Sequence, residues 1–304
     1  MQTHATLLVA SDLSERAQPA LARAAQLARS NQARLLVLHV IAEEPIWHLV
    51  KTPSLDPDYL SSLLASEAQD QLHLQIQSLG AARPEQVEPL VVRGKPFVDI
   101  VRTARQHDAE LIVVGAHGRH FLKDWFVGTT AERVVHKGDR PVLVVKRPDT
   151  ETPYRQVLIA TDFSDPARLA LRAARRWAPD AEYVLAHAYD LWFEARLHSS
   201  GVDPQAIRLM HAEQEAALRS RLDKLAREEG LDPRRTRLEI LRGHPGPTLV
   251  EAAERLNADL VVCGTQGAER LRQVLLGSVA EHLLRETPCD ILAVRPERPD
   301  FELP

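Results

Sequence analysis

The sequence predicts an α/β protein built from two tandem, open, parallel five-stranded sheets with helices on both faces. Two observations carry this reading. The chain repeats itself at domain scale, and each copy alternates short, fully apolar runs with longer amphipathic segments. LLVASDLSERAQPALARAAQLA (7–28) matches VLIATDFSDPARLALRAARRWA (157–178), and VVRGKPFVDIVRTARQHDAELIVVGAHG (91–118) matches ILRGHPGPTLVEAAERLNADLVVCGTQG (240–267). RPVLVVKRP (140–148) matches TPCDILAVRP (287–296). The near-constant spacing marks a tandem duplication of one domain-sized unit, far longer than the roughly 20–50 residues of a solenoid repeat. The polar, proline-containing stretch around 147–156 is the expected joint, giving domains 1–149 and 150–304.

The elements follow in order. TLLVA (6–10) is a short buried strand ending at a polar Ser-Asp, and Ser14 is placed to cap a helix with apolar residues at 17, 20, 21, 24, 25 and 28. ARLLVLHVI is the second strand. A proline-bearing excursion, EEPIWHLVKTPSLDPDYL, leads to a helix over about 59–79 that Gly80 ends. EPLVVR is strand three, and Pro96 opens the next helix in its first turn. ELIVVGA is strand four; a polar loop, a helix from about 128 and the strand PVLVVK complete the unit. VLIAT, EYVLAHA, RLEILR, DLVVCG and DILAV repeat the strand series, with a long helix over about 205–229. Strands apolar on both faces and separated by helices read as parallel and doubly covered.

Composition excludes several classes. The 304 residues are 44% hydrophobic and 26% charged, with a formal net charge of −4. That charge gives no general footprint for nucleic acid, and Trp47, Trp125, Trp177 and Trp192 form no stacking series with basic residues. No apolar run approaches the ~20 residues of a membrane span. MQTHATLLVASDLSE lacks the marks of a signal peptide. Two cysteines, Cys263 and Cys289, make no disulfide framework. A cytoplasmic protein without membrane partners is expected.

The glycines after strand four carry the chemistry. Gly115, Gly118 and Gly128-Thr129-Thr130 in the first copy match Gly264, Gly267 and Gly277-Ser278 in the second, both with the spacing G-x2-G-x9-G-[ST]. Glycines at the carboxyl end of a strand let backbone approach a ligand. A Gly-Ser/Thr opening the next helix offers N–H groups, a hydroxyl and the positive end of the helix dipole to phosphate oxygens. Asp12 and Asp162 close strand one, where a carboxylate can accept from an adenine amino group or ribose hydroxyls at the switch point of the sheet. The spacing matches neither a P-loop nor the Rossmann glycine fingerprint. His117 and His120 lack a third ligand for a metal, so no metal site is expected. His39 and His187, at matched positions, read as core histidines. Ser14 and Ser164 read as caps and not nucleophiles, and no catalytic residue is assigned.

On ASD (10–12), ATD (160–162), LHV (38–40), VRGKP (92–96), LRGHP (241–245) and the two glycine signatures, the chain resembles the universal stress protein family, tandem type. The resemblance covers nearly the whole chain and implies the adenine nucleotide alpha-hydrolase-like fold with strand order 3-2-1-4-5. It also implies that the two halves form an intramolecular pseudo-dimer through their last strands, with a homodimer as a further option. Its ATP-binding branch retains the spaced glycines. By resemblance, Asp12, Val40, Gly115, Gly118, Arg119, Gly128, Thr129 and Thr130 line one nucleotide site, and Asp162, Gly264, Gly267, Gly277 and Ser278 the other. Thr129 replaces the more usual serine, Ala188 stands at the place of Val40, and Ala268 at that of Arg119, implying a different grip in the second site. The expected function is a stress-response protein that binds ATP, with Mg2+, in one or both domains as a regulatory ligand. The alternatives are an interaction or carrier protein for a non-nucleotide small molecule, or a slow ATPase or self-phosphorylating protein.

Overall fold

The computed structural model describes residues 5–42, 57–80, 85–116, 127–148, 150, 152–190, 202–266 and 276–296. Among them are ten strands: β1 (Thr6–Ala10), β2 (Arg34–Ala42), β3 (Val87–Gly94), β4 (Ala109–Gly115), β5 (Val142–Val145), β6 (Gln156–Ala160), β7 (Glu182–Tyr189), β8 (Thr236–Arg242), β9 (Leu260–Gly264) and β10 (Asp290–Val294). The α-helices are α1 (Gln18–Ser30), α2 (Pro57–Ser78), α3 (Pro96–Gln106), α4 (Thr129–Lys137), α5 (Asp165–Trp177), α6 (Pro204–Glu228), α7 (Pro245–Arg255) and α8 (Ser278–Glu286). Each apolar run named above forms a strand, because burial on both faces leaves no polar side for solvent.

The chain forms two compact units, residues 1–153 with 290–304, and residues 154–289. In the first, the strand order is β3-β2-β1-β4-β5-β10. The first five are parallel, with Leu8 opposite both Leu36 and Ile112. β10 then runs antiparallel to β5, Leu292 opposite Leu143. In the second unit the order is β9-β6-β7-β8, all parallel. The expectation of two five-stranded parallel sheets is corrected. The first unit has six strands, of which β10 is antiparallel, and the second unit has four, all parallel. The physical reason lies in β5. Its four residues are buried and apolar, and β10 satisfies the backbone edge that β5 would otherwise expose.

The cores are aliphatic: Leu7, Leu8, Leu35, Leu36, Leu111 and Ile112 are fully enclosed in the first unit, and Leu158 with Val184, Leu185 and Val261 in the second. Small residues set the helix distances. Ala20, Ala24 and Ala28 of α1, and Ala170 and Ala174 of α5, sit against the sheet at the same spacing. Gly94 and Gly243, the glycines of RGKP and RGHP, have φ of +146° and +136°. A Cβ on Gly94 would lie 2.1 Å from Asp99 Oδ2, and one on Gly243 2.6 Å from Thr248 Oγ1, so both turns need glycine. Among the described residues, no helix is long and apolar enough to cross a membrane.

Candidate functional site

Each repeat gathers its site at the carboxyl ends of parallel strands. β1 lies between β2 and β4, and the order of connection reverses between β1 and β4. In open α/β sheets a switch point of this kind is where a ligand crevice forms, outside the carboxyl ends of the strands. β6 and β9 form its counterpart in the second unit. Val9 sits opposite Val113, so the loop after β1 and the glycine loop after β4 leave the same edge side by side.

The loop after β1 is a strained, twice-repeated device. Leu13 and Phe163 both adopt left-handed backbone, φ 64° and 66°, although neither is glycine. Non-glycine residues in this region cost of order 1–3 kcal/mol, and such strain clusters at ligand sites. Side chains hold it in place. Leu13 N–H donates to Ser11 Oγ at 3.1 Å, and Phe163 N–H to Thr161 Oγ1 at 3.1 Å. Ser14 N–H donates to Asp12 Oδ1 at 3.0 Å and Ser164 N–H to Asp162 Oδ1 at 3.0 Å; each serine hydroxyl donates to the same oxygen. His39 Nδ1 meets Ser11 O at 2.8 Å, and His187 Nδ1 meets Thr161 O at 2.7 Å. Burial pushes the His187 pKa below its ordinary value, against the weaker opposing effect of its bond to Thr161 O. The neutral ring with its proton on Nδ1 fits that carbonyl.

Ser14 precedes a 3-10 turn, Glu15–Ala17, and its side chain makes no cap bond. The expectation that it caps α1 is corrected, because the 3-10 turn comes between them and the N-cap position of α1 falls on Ala17. Ser164 also accepts from Ala167 N–H at 3.4 Å and does cap α5.

The glycine loops share one closure. Gly128 N–H donates to Ala116 O at 2.6 Å, and Gly277 N–H to Thr265 O at 2.8 Å. The start and the end of each loop are thus drawn together over the strand edge. Buried Val127 and Leu276 anchor the residue just before each cap glycine. Gly128 and Gly277 are the N-caps of α4 and α8, with φ −63° and −65° and no side-chain cap bond. These glycines are therefore not selected for left-handed backbone. A cap without a side chain leaves the first-turn N–H groups to an external acceptor. Thr129, Thr130 and Ser278 are solvent-exposed at those helix starts.

Gly115 and Gly264 end β4 and β9. Gly264 has a packing duty as well: a Cβ there would lie 3.0 Å from Pro166 C and 3.2 Å from Ala167 N, at the start of α5. Val40 lies near the end of β2, half-buried, opposite Val92. Ala188, in the matching region of β7, is opposite Leu241. Gly118, Arg119 and Gly267 lie outside the described residues, as do His117, His120 and Ala268.

Sequence reasoning missed several supporting groups. In the first repeat, buried Gln75 of α2 accepts from Ser11 Oγ at 2.7 Å. In the second, the Arg221 guanidinium of α6 lies 4.0 Å from the centre of the Phe163 ring. The signal was available as the paired S-D-L-S and T-D-F-S segments, in which a bulky residue follows the aspartate in both copies. The cysteines are free and buried, as expected; burial pushes the Cys263 thiol up to about 12, so it stays protonated. Among the described residues, no group of three or more His, Cys, Asp or Glu could hold a metal ion.

Comparison with known proteins identifies the fold and the family. A universal stress protein of Methanocaldococcus jannaschii is 34% identical over 149 residues, covering 48% of this chain and 84% of that protein. A putative universal stress protein of Staphylococcus haemolyticus is 32% identical over 149 residues, covering 47% and 86%. Among solved structures, a universal stress protein from Archaeoglobus fulgidus superposes with TM-score 0.65 at 21% identity, covering 95% of this chain and 98% of its own. A functionally unknown protein from Pseudomonas aeruginosa gives 0.66 at 19%, covering 97% and 94%. At these identities the structural likeness is one of fold. The profile of the universal stress protein family matches twice, over residues 4–146 and 153–295, and the chain is a tandem member of that family.

Proposed function

We propose that the protein is a cytoplasmic stress-response protein that binds an adenine nucleotide, ATP with Mg2+, in one or both repeats, as a regulatory ligand and not for rapid turnover. One observation carries the reading: in both repeats a glycine without a side-chain cap opens a helix beside the carboxyl end of the switch-point strand. There the N–H groups of α4 or α8, with the hydroxyls of Thr129 and Thr130 or Ser278, would hold phosphate oxygens. Asp12 or Asp162 would accept from base or ribose. The strained turn at Leu13 or Phe163 fixes where that carboxylate stands.

Magnesium would come with the triphosphate and would neutralise part of its charge. The helix caps would favour the phosphate charge, and the hydroxyls of Thr129, Thr130 or Ser278 would be the oxygen donors this chain could offer the ion. Denaturing the purified protein and identifying the released small molecules by mass spectrometry tests the proposal. Adenine nucleotide is expected. A different, apolar compound retained at one equivalent per site would favour a carrier.

A further inference from the structure

The two repeats fasten their long helix to the turn after strand one by different means. In the first, buried Gln75 of α2 accepts from Ser11 Oγ at 2.7 Å and donates to Ser14 O at 3.4 Å. In the second, the fastening comes from residues nearer the start of α6. The Tyr189 hydroxyl, at the end of β7, donates to Glu215 Oε1 at 2.9 Å. The Arg221 guanidinium lies 4.0 Å from the centre of the Phe163 ring, and that ring lies 4.6 Å from the His187 ring. Tyr189 and Leu218, 6% and 7% exposed, form a buried cluster against which Phe163, Met210 and Ile240 pack.

Matched positions allow a comparison residue by residue. His39 and His187 meet the same carbonyl of the turn, so Ile41 corresponds to Tyr189. Leu72 and Leu222 are fully enclosed, and Gly80 and Gly230 follow them at the same distance, both with positive φ. Ala65, Ala68, Gln71 and Gln75 therefore correspond to Glu215, Leu218, Arg221 and Leu225. The second repeat thus carries a larger side chain at several places around one turn: Phe163 for Leu13, Tyr189 for Ile41, Glu215 for Ala65, Leu218 for Ala68 and Arg221 for Gln71. Burial follows the bulk. Val40 and Ile41 are half-buried at the end of β2, whereas Ala188 and Tyr189 are buried at the end of β7. Asp12 and Asp162 are both half-buried, and both repeats keep their cap glycine, so the difference lies in the wall beside the aspartate.

We infer that this cluster fills the base end of the second site with the protein's own side chains, so that the chain holds one adenine nucleotide, in the first repeat. Phe163, Tyr189, Leu218 and Arg221 are the residues that exclude it from the second. The inference rests on the reading of the aspartates and helix caps as nucleotide sites. Side chains packed to the density of a protein interior have no room for a base, and a site rejects a ligand by clash as effectively as by lack of contacts. Arg221 covers a face of the Phe163 ring on which a base would otherwise stack. The Tyr189–Glu215 bond holds α6 over the cluster.

The test uses the full-length chain with ATP and magnesium. Calorimetric titration is expected to give one ATP per chain, kept in Gly277→Val and lost in Gly128→Val. In the Gly128→Val background, the second repeat is then given the residues of the first: Phe163→Leu, Tyr189→Ile, Leu218→Ala and Arg221→Gln. ATP affinity is expected to rise by about tenfold or more. Because Tyr189 and Leu218 are core residues, a second measurement uses the unaltered protein: hydrogen exchange followed by mass spectrometry. ATP is expected to slow exchange over residues 11–18 and to leave residues 161–168 unchanged. Two ATP per chain, loss of binding in Gly277→Val, or protection over 161–168 would overturn the inference and leave nucleotide binding standing. No bound ATP and no protection in either repeat would overturn the nucleotide reading, and this inference with it.

Discussion

Arg23 and Asp290 form a buried ion pair in the first unit, Nε to Oδ2 at 3.6 Å, with side chains 3% and 0% exposed. They lie 267 positions apart in the chain, on α1 and at the first residue of β10. Asp290 Oδ1 also accepts from the N–H groups of Lys146 and Arg147, at 2.8 and 3.0 Å, just beyond β5. Arg23 Nη1 donates to Gln26 Oε1 and Thr152 O. The final strand of the second repeat is thereby fastened to the first helix and the fifth strand of the first.

Asp290→Ala should be severely destabilising, because it strands a buried guanidinium and two backbone donors. Breaking such a pair from one side costs about 3–5 kcal/mol. Urea unfolding followed by circular dichroism should show a lower midpoint for the transition that includes the first unit. An unchanged midpoint would show that the pair contributes nothing net.

Much of this architecture was legible in the residues. Strands apolar on both faces, such as LLVA and LIVVG, have one stable setting, a doubly covered parallel sheet. The repeat then predicted each element twice. The pairing of the two last strands, β5 and β10, was legible too, since each is apolar and would otherwise be an exposed edge. The anchoring of Asp290 was not, because its partners Arg23, Lys146 and Arg147 lie far away in sequence. The left-handed backbone at Leu13 and Phe163 was invisible for a different reason. Local propensity argues against it, and only the fixed ladder of Ser11, Asp12 and Ser14 imposes it. Gly264 was read from the sequence as ligand-facing, and its contact with the start of α5 is a matter of tertiary distance.

Gly264→Ala should therefore lower stability even with no nucleotide present. Its Cβ would press on the backbone of Pro166 and Ala167, which cannot rotate away. Overpacking of this kind costs about 1–3 kcal/mol. The melting temperature in nucleotide-free buffer checks this; no change would assign the glycine to ligand contact alone.

His187 makes stability depend on pH in one direction. Burial lowers its folded-state pKa, so the unfolded chain takes up a proton that the folded chain refuses. The penalty is absent at neutral pH and grows as pH falls below about 6.5, the ordinary histidine value. Unfolding free energy measured between neutral and mildly acidic pH should fall, and the fall should shrink in His187→Gln. An identical pH profile in that variant would remove His187 as a contributor.

Asp12→Asn should separate the two duties of this side chain. The amide oxygen can still accept from Ser14 N–H, so the strained turn should survive. The lost carboxylate should weaken nucleotide binding by roughly ten- to hundredfold, the worth of about 1.5–3 kcal/mol for a charged hydrogen bond. Calorimetric titration with ATP is the check, with circular dichroism to confirm an unchanged fold. Unaltered affinity would take Asp12 out of the site.

The most direct measurement of the central claim is the rise in melting temperature caused by ATP and magnesium, in the unaltered protein and in Gly128→Val, Gly277→Val. A ligand at a hundred times its Kd stabilises the folded state by about 2.7 kcal/mol, enough to read as a shift. A valine at either cap puts a branched side chain where phosphate would meet the N–H groups of α4 or α8. The unaltered protein should melt higher with millimolar ATP, and the doubly substituted protein should not respond. No rise in the unaltered protein, or an equal rise in the variant, would contradict nucleotide binding at these helix caps.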